Sequence, residues 1–533
     1  MNRFACMRVF GVLCIVGLLL FATLGHYALW DDEANTALTG KAILKTGDTS
    51  ASVDGRNFLM YRQGTELEEL KNRYLPPLGS CLAATSFLFF EPSACSARLP
   101  FSVIGFLGIA FFLILIWRLN IPSPFLIVFV ILLLSNVSLY LFLRNCRYYA
   151  PALLFTVFVI ALYKGTSGSR MQLLGLSLAG FFLAAAQYLN YAALVFALSL
   201  DYVFYRRLEL TLSVRKWILL LVSQVVMVGA LLAIFNPIGK KVVTVQSGNW
   251  VAEKLQLLWW NFRDLDACQF GSLPILLLGF LFVFRGPHKD SIKRLGIGCL
   301  AYIAIITILS PQPVRATSVA DVRYLASLIP ILIALESLII CSVFQFQSKF
   351  ALLCAALLSF TNILSLDFIT QRDLKFPLYS FVRELIDPPR DPYSETAAWI
   401  RKNISAESSI WVLPEHMVYP LMFHAPDSVY AWQLDANQRK EGQFSALPPI
   451  HFKGVIIPEF IIVFGPMVVE VREMLKQWKM EGVNFENVST IDVFWKDLYR
   501  PELFWRSSEP IPVVDKQKQG IYVFKRVEGV KSL

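Results

Sequence analysis

The sequence predicts a polytopic α-helical membrane protein of about 11 spanning helices, followed by a C-terminal soluble α/β domain. Three observations predict it. Of 533 residues, 56% are hydrophobic and only 17% charged, which excludes an ordinary soluble globule and a disordered chain. Apolar runs approaching about twenty residues recur through the first two thirds of the chain. Beyond Leu366 they give way to short β-rich runs such as "SSIWVLP", "FIIVFGP" and "GIYVFKR", alternating with helical stretches such as "SETAAWIRKN".

The apolar runs fall at residues 7–29, 99–117, 122–143, 148–164, 171–188, 190–205, 217–235, 272–285, 295–310, 323–343 and 349–366. The first has the basic start and apolar centre of a signal peptide. No clear small-x-small cleavage site follows, so it reads as a retained anchor. "PPLGSCLAATSFLFFE" is different, because the 13 residues between Pro77 and Glu91 make about 20 Å of helix against roughly 30 Å of hydrocarbon. It reads as interfacial or re-entrant.

Charge tests that reading. If the short segment does not span, Arg118, Lys164, Arg170, Arg206, Arg207, Arg215, Lys216, Arg285, Lys289, Lys293, Arg294 and Lys349 all fall on the cytoplasmic side, as the positive-inside rule demands. The N-terminus is then cytoplasmic, and residues 30–98 form a long first external loop. The C-terminal domain is extracytoplasmic, and the setting is a plasma (inner) membrane. Residues 1–366 carry 29 Lys and Arg against 17 Asp and Glu, whereas 367–533 carry 20 against 22. The basic excess belongs to the membrane half, which gives nucleic-acid binding no support.

Cysteine and histidine supply no metal signature. All nine cysteines lie between Cys6 and Cys354, mostly in apolar runs and without CxxC spacing, so the tail has no disulfides. His416, His424 and His451 are scattered. No glycine-rich phosphate loop follows a tail strand, and Pro388, Pro389 and Pro392 mark the linker to the tail. Asn403-Ile-Ser405 and Asn487-Val-Ser489 match the glycosylation triplet by residue type alone.

The chemistry gathers at one face. Asp31, Asp32 and Glu33 directly follow the first apolar run. One of the aspartates suffices to cap the helix "EANTALTGKAIL", and Glu33 suits its positive end. Three adjoining carboxylates exceed that need and point to proton abstraction or metal binding at the membrane edge. Arg73, Arg98, Arg144, Arg147, Lys240, Lys241, Arg315 and Arg323 break the positive-inside rule, all in external connections or at outer helix ends. Each alone suits a snorkelling headgroup contact. As a set facing an acidic loop they suit a cradle for a phosphate at the membrane surface.

The pieces "DDEANTALTGKAILKTGD", "RYLPPLGSCLAATSFLFFEPSACSARLP", "RNCRYYAPALL" and "DVRYLASLIPILIAL", in that order and on one side of a polytopic chain, resemble the GT-C superfamily of integral-membrane glycosyltransferases. The similar branch holds the protein O-mannosyltransferases, the lipid A aminoarabinose transferase and the lipopolysaccharide galacturonosyltransferases. The resemblance covers residues 1–366 and, less specifically, the tail. It implies a sugar donor carried on polyprenyl phosphate and an acidic general base in the first external loop, here Asp32 and Glu33. Family members often have Lys or His directly before the Pro-Pro pair; this chain has Leu75, with Arg73 two residues earlier.

Glycosyl transfer from a lipid phosphate needs a base for the acceptor proton and positive charge for the departing phosphate. Asp32 is the expected base. Glu33 is expected to orient the acceptor or, with Asp32, to bind a divalent cation. Arg73, Arg144, Arg147, Lys240, Lys241 and Arg323 are the expected phosphate ligands, and Tyr148 and Tyr324 the expected sugar pocket. The Trp-rich stretch Trp250–Phe262 reads as an interfacial helix able to wall a groove for the isoprenoid tail. The expected activity is inverting transfer to a lipid, glycan or protein acceptor on the external face. A polytopic transporter or lipid flippase is the alternative, but the chain shows no evident repeated halves and concentrates its unusual charges at one face. Glu336, an acid within a spanning segment, is expected in the inner half.

Overall fold

The computed structural model describes residues 3–118, 121–165, 169–206, 214–236, 249–268, 272–282, 288–310, 322–345, 347–440, 442–493 and 520–527. Lys240, Lys241 and Arg315 lie outside the described residues.

Each apolar run contains a helix. These are α1 (Arg3–Phe21), α4 (Ala94–Trp117), α5 (Ser123–Ser135), α6 (Val137–Arg144), α7 (Tyr149–Lys164), α8 (Arg170–Ala186), α9 (Tyr188–Asp201), α10 (Val214–Ile234), α12 (Leu273–Phe282), α13 (Lys289–Leu309), α14 (Ile329–Val343) and α15 (Ser348–Phe360). Among the described residues five helical stretches are long and apolar enough to cross a membrane, and α5 with α6 makes a sixth although the pair is bent by 59°. The bend has a local cause. Asn136 leaves helical geometry and its side chain accepts from the Leu139 N–H, ending α5 and starting α6 at the same residue.

Between α1 and α4 the long connection folds into α2 (Asp31–Thr46) and α3 (Leu78–Phe87). The N-cap of α2 is Trp30, so neither aspartate caps it; all three acids occupy its first turn, where the helix dipole favours negative charge. Helix α3 is the short segment of uncertain topology, only 10 residues long. It packs tightly on α2, because an added Cβ at Gly40 would lie 3.0 Å from Ala83 Cβ and 3.1 Å from Ser80 O. Leu88, Phe89 and Phe90, which follow it, are exposed.

Helix α11 (Trp250–Ala267) leaves Trp250, Val251, Leu255 and Trp259 exposed while burying Leu257 and Trp260. That two-sidedness suits a helix lying in the interface. Glu336 is buried in α14. Its carboxylate accepts from the Ser272 N–H at the start of α12, 2.9 Å away, and it shares a small polar pocket with Ser365 and Asn362 beyond the tail-side end of α15.

The tail holds α16 (Leu366–Gln371), α17 (Pro377–Ile386), α18 (Pro392–Asn403), α19 (Val418–His424) and α20 (Val468–Met480) around a five-stranded sheet. With the two short strands of the α1–α4 connection, β1 (Leu67–Glu68) and β2 (Lys71–Asn72), numbered first, the sheet comprises β3 (Ser409–Leu413), β4 (Val429–Tyr430), β5 (Phe460–Phe464), β6 (Asn484–Ile491) and β7 (Ile521–Val527). Their order is β4-β3-β5-β7-β6; β3 runs parallel to β4 and β5, whereas β7 is antiparallel to β5 and β6. β3 and β5 are buried on both faces, which explains their unbroken apolar runs.

The tail is clamped to the membrane half. Asp391 caps α18 and also accepts from the Ala28 N–H at 2.9 Å, so the proline-marked linker is anchored at the end of α1. The Leu29 N–H donates to His424 Nε2 at 3.0 Å. Burial, helped by the charges of Arg98, Arg401 and Lys41, pushes the His424 pKa from 6.5 down to about 3. The unfolded chain takes up that proton near its ordinary pKa and the folded chain does not. The clamp is therefore at full strength above pH 6.5 and weakens as the pH falls towards 3. We expect the thermal midpoint of the solubilised protein to fall from about pH 7 to about pH 5, and His424→Gln to flatten that slope. Equal slopes in the two proteins would remove His424 from the clamp.

Candidate active site

Adjacent residues on a helix point about 100° apart, so Asp32 and Glu33 face different neighbours. Glu33 is fully buried and turns towards α4. Its Oε1 accepts from Arg98 Nε at 2.9 Å and from the Cys146 N–H at 2.7 Å, and its Oε2 from Arg98 Nη2 at 2.5 Å and the Trp30 N–H at 3.4 Å. Arg98 also donates to the carbonyls of Leu24, Tyr27 and Ala28 at 3.1, 2.8 and 2.9 Å. This corrects the role expected for Glu33. With four donors on its oxygens and no exposure, it fixes the head of α2 to α1, α4 and the α6–α7 connection, and it is not presented to an acceptor or to a divalent cation. Among the described residues no group of three His, Cys, Asp or Glu side chains is arranged to hold a metal ion.

Asp32 faces the other way, into a cationic and aromatic cluster. Its Oδ2 pairs with Arg147 Nη2 at 3.3 Å and with Arg323 Nη1. Arg147 comes from the connection between α6 and α7, and its Nη1 also donates to the Asp32 carbonyl at 3.3 Å and to Thr36 Oγ1 at 3.1 Å. Burial opposes its charge, but the Asp32 carboxylate outweighs that and raises its pKa. Each guanidinium stands over a tyrosine, Arg147 over Tyr148 at 5.7 Å and Arg323 over Tyr324 at 5.8 Å. The two tyrosine rings stack with centroids 6.1 Å apart and planes 12° from parallel. Two guanidiniums and the two tyrosines beneath them, from two separate segments, thus gather beside one carboxylate.

Arg323 and Tyr324 sit in the 3₁₀ turn Val322–Leu328 that leads into α14. Ser327 pins that turn to the helices behind it, through Asn190 Nδ2 at 2.7 Å and Tyr302 Oη at 2.9 Å. Arg144 is buried in the last turn of α6. Arg73 is placed differently from expectation. It pairs with Asp48 at 2.7 Å, donates to Thr49 Oγ1 at 3.3 Å and stands over Phe235 at 5.3 Å, contacts that none of the Asp32 cluster shares. The sequence therefore brings together Asp32, Arg147, Arg323, Tyr148 and Tyr324, and it missed Arg98 as the partner of Glu33.

No protein-family model matches the chain, and no curated protein matches it. Among solved structures, ArnT from Cupriavidus metallidurans bound to undecaprenyl phosphate aligns over 98% of this chain and 98% of its own, with TM-score 0.51 and 13% identity. The apo state of the same protein aligns over the same shares, with TM-score 0.51 and 12% identity. The Archaeoglobus fulgidus oligosaccharyltransferase, solved with Zn and sulfate, aligns over 86% of this chain and 68% of its own, with TM-score 0.46 and 12% identity. The end-to-end alignment shows that the chain shares the polytopic fold of ArnT.

Proposed function

We propose that the chain is an inverting glycosyltransferase that moves a sugar from a polyprenyl-phosphate donor to a lipid, glycan or protein acceptor on the external face of a plasma membrane. Residues 1–366 form its catalytic part and residues 367–533 an extracytoplasmic domain. The observation that carries this reading is Asp32 held between Arg147 and Arg323 on the outer loop. The undecaprenyl phosphate bound by ArnT supports the donor class.

In this reading the acceptor hydroxyl attacks the anomeric carbon and gives its proton to Asp32. The bond from that carbon to the phosphate oxygen breaks as the new glycosidic bond forms, and polyprenyl phosphate departs. Arg147 and Arg323 neutralise the departing anion. A guanidinium carries five N–H donors, and the Arg147 Nε–H is buried without a partner among the described residues, so it has capacity beyond Asp32. A phosphate that engages these cations competes with Asp32 for them and frees the carboxylate to take the proton, which couples donor binding to base action. Tyr148 and Tyr324 set the wall on which the sugar rests. At a partly dehydrated bilayer edge each charge contact gains strength.

Arg147→Ala should raise the donor KM by about tenfold or more, the range of one charge-assisted hydrogen bond, and leave acceptor KM little changed. Unchanged donor kinetics would remove Arg147 from the phosphate site. The function itself is tested by mass analysis of lipid-linked sugars and envelope glycans in a strain lacking the chain. The expected result is accumulation of one polyprenyl-phosphate sugar and loss of the matching residue from one glycan. Unchanged pools of both would overturn the reading.

A further inference from the structure

The sheet of the tail ends in a cleft of 340 Å³ that the chemistry above does not use. It opens where the carboxyl ends of β3 and β4 meet Met60 of the external loop. β3 has β4 on one side and β5 on the other, so the chain leaves it one way for β4 and returns on the opposite side for β5. Crevices at that kind of reversal, beyond the carboxyl ends of parallel strands, are where α/β sheets take ligands. The volume is roughly twenty or more times the 10–15 Å³ that one water requires.

The lining pairs aromatic side chains with polar ones. Trp411, Trp432 and Tyr419 supply rings, and Glu415, His416 and Gln433 supply hydrogen-bonding groups. The Trp411 and Trp432 rings lie 4.9 Å apart, and Trp478 stacks on Trp411 at 6.3 Å, which holds the wall rigid. Trp411 is only 8% exposed, and its indole Nε1 is buried with no hydrogen-bond partner among the described residues. A buried donor left unpaired is costly, and a small shift of the indole that brings it to an acceptor on a ligand removes that cost. Glu415 is paired with Lys453 at the rim.

A pyranose ring meets both demands. Its C–H face lies on aromatic rings while its edge hydroxyls accept from an indole N–H and donate to a carboxylate and an amide oxygen. An isoprenoid tail has no use for the polar ends, and an anionic phosphate has no unshared cation in the lining. We propose that the cleft is a saccharide-binding site for a sugar unit of the acceptor; that it serves the acceptor rests on the transferase reading above. Tyr419 lies in α19, which packs on α2, the helix headed by Asp32, so an occupied cleft is tied to the site by one helix contact.

Saturation-transfer NMR tests it on the full chain in nanodiscs without any donor, using methyl β-glucopyranoside, methyl β-galactopyranoside, N,N′-diacetylchitobiose and a Gly-Ser-Gly amide peptide as probes. The expected result is saturation of the ring protons of at least one saccharide, with dissociation constants raised roughly fivefold to tenfold in Trp411→Phe and in the exposed Glu415→Gln. No signal from any saccharide, saturation of the peptide alone, or equal affinity in wild type and Glu415→Gln would overturn it. Because no turnover is involved, the two readings fail separately. Saccharide binding without transfer from any donor leaves the cleft and removes the transferase; transfer without saccharide binding does the reverse.

Discussion

Asp32→Asn is expected to abolish glycosyl transfer while the protein inserts and folds. The amide oxygen still accepts from Arg147 and Arg323, so the cluster of side chains keeps its shape, but an amide does not take up the acceptor proton. Loss of a general base costs about 10²–10⁴ in rate. Binding of polyprenyl phosphate should persist, because the ligand then becomes the counter-charge for two guanidiniums that otherwise face each other. Single-turnover product analysis alongside a phosphate-binding measurement separates the two effects. Turnover at the wild-type rate would rule out Asp32 as the base.

Glu33→Gln is expected to act through folding. Arg98 and Glu33 are 3% and 0% exposed, and taking the charge from one leaves the other buried without compensation. Breaking such a pair costs about 3–5 kcal/mol, whereas replacing both members by apolar residues is often neutral. The single variant should therefore fail to accumulate as folded protein, and Glu33→Leu combined with Arg98→Met should recover folding and part of the activity. Size-exclusion profile and thermal midpoint in detergent read the outcome. A fully folded Glu33→Gln that has lost only turnover would return Glu33 to the chemistry.

These two variants also mark how far the sequence was legible. The polytopic class could be read because a bilayer demands long apolar runs, and the short α3 stood out because 10 residues do not cross one. Asp32 could be picked out because it stands in a run of three carboxylates directly after the first apolar run, and Arg147 and Arg323 because they depart from the positive-inside pattern that the other basic residues follow. The division of labour between Asp32 and Glu33 was not legible. It depends on which side of α2 meets Arg98, a residue 65 positions away in the chain. Arg73 was misplaced for a related reason: Asp48, a carboxylate 25 positions before it, holds it at the far end of α2. The cap also went unread, since Trp30 starts the helix and its backbone N–H is met by Glu33 from within the first turn. The cleft of the tail escaped because its residues come from separate strand ends that only the sheet order brings together.

A structure of the chain with polyprenyl phosphate bound tests directly whether Asp32, Arg147 and Arg323 share one site. Phosphate oxygens are expected at about 2.7–2.9 Å from guanidinium nitrogens of Arg147 or Arg323, with the Asp32 carboxylate facing the same cavity. A phosphate held elsewhere, with Asp32 still closed between both arginines, would contradict that placement.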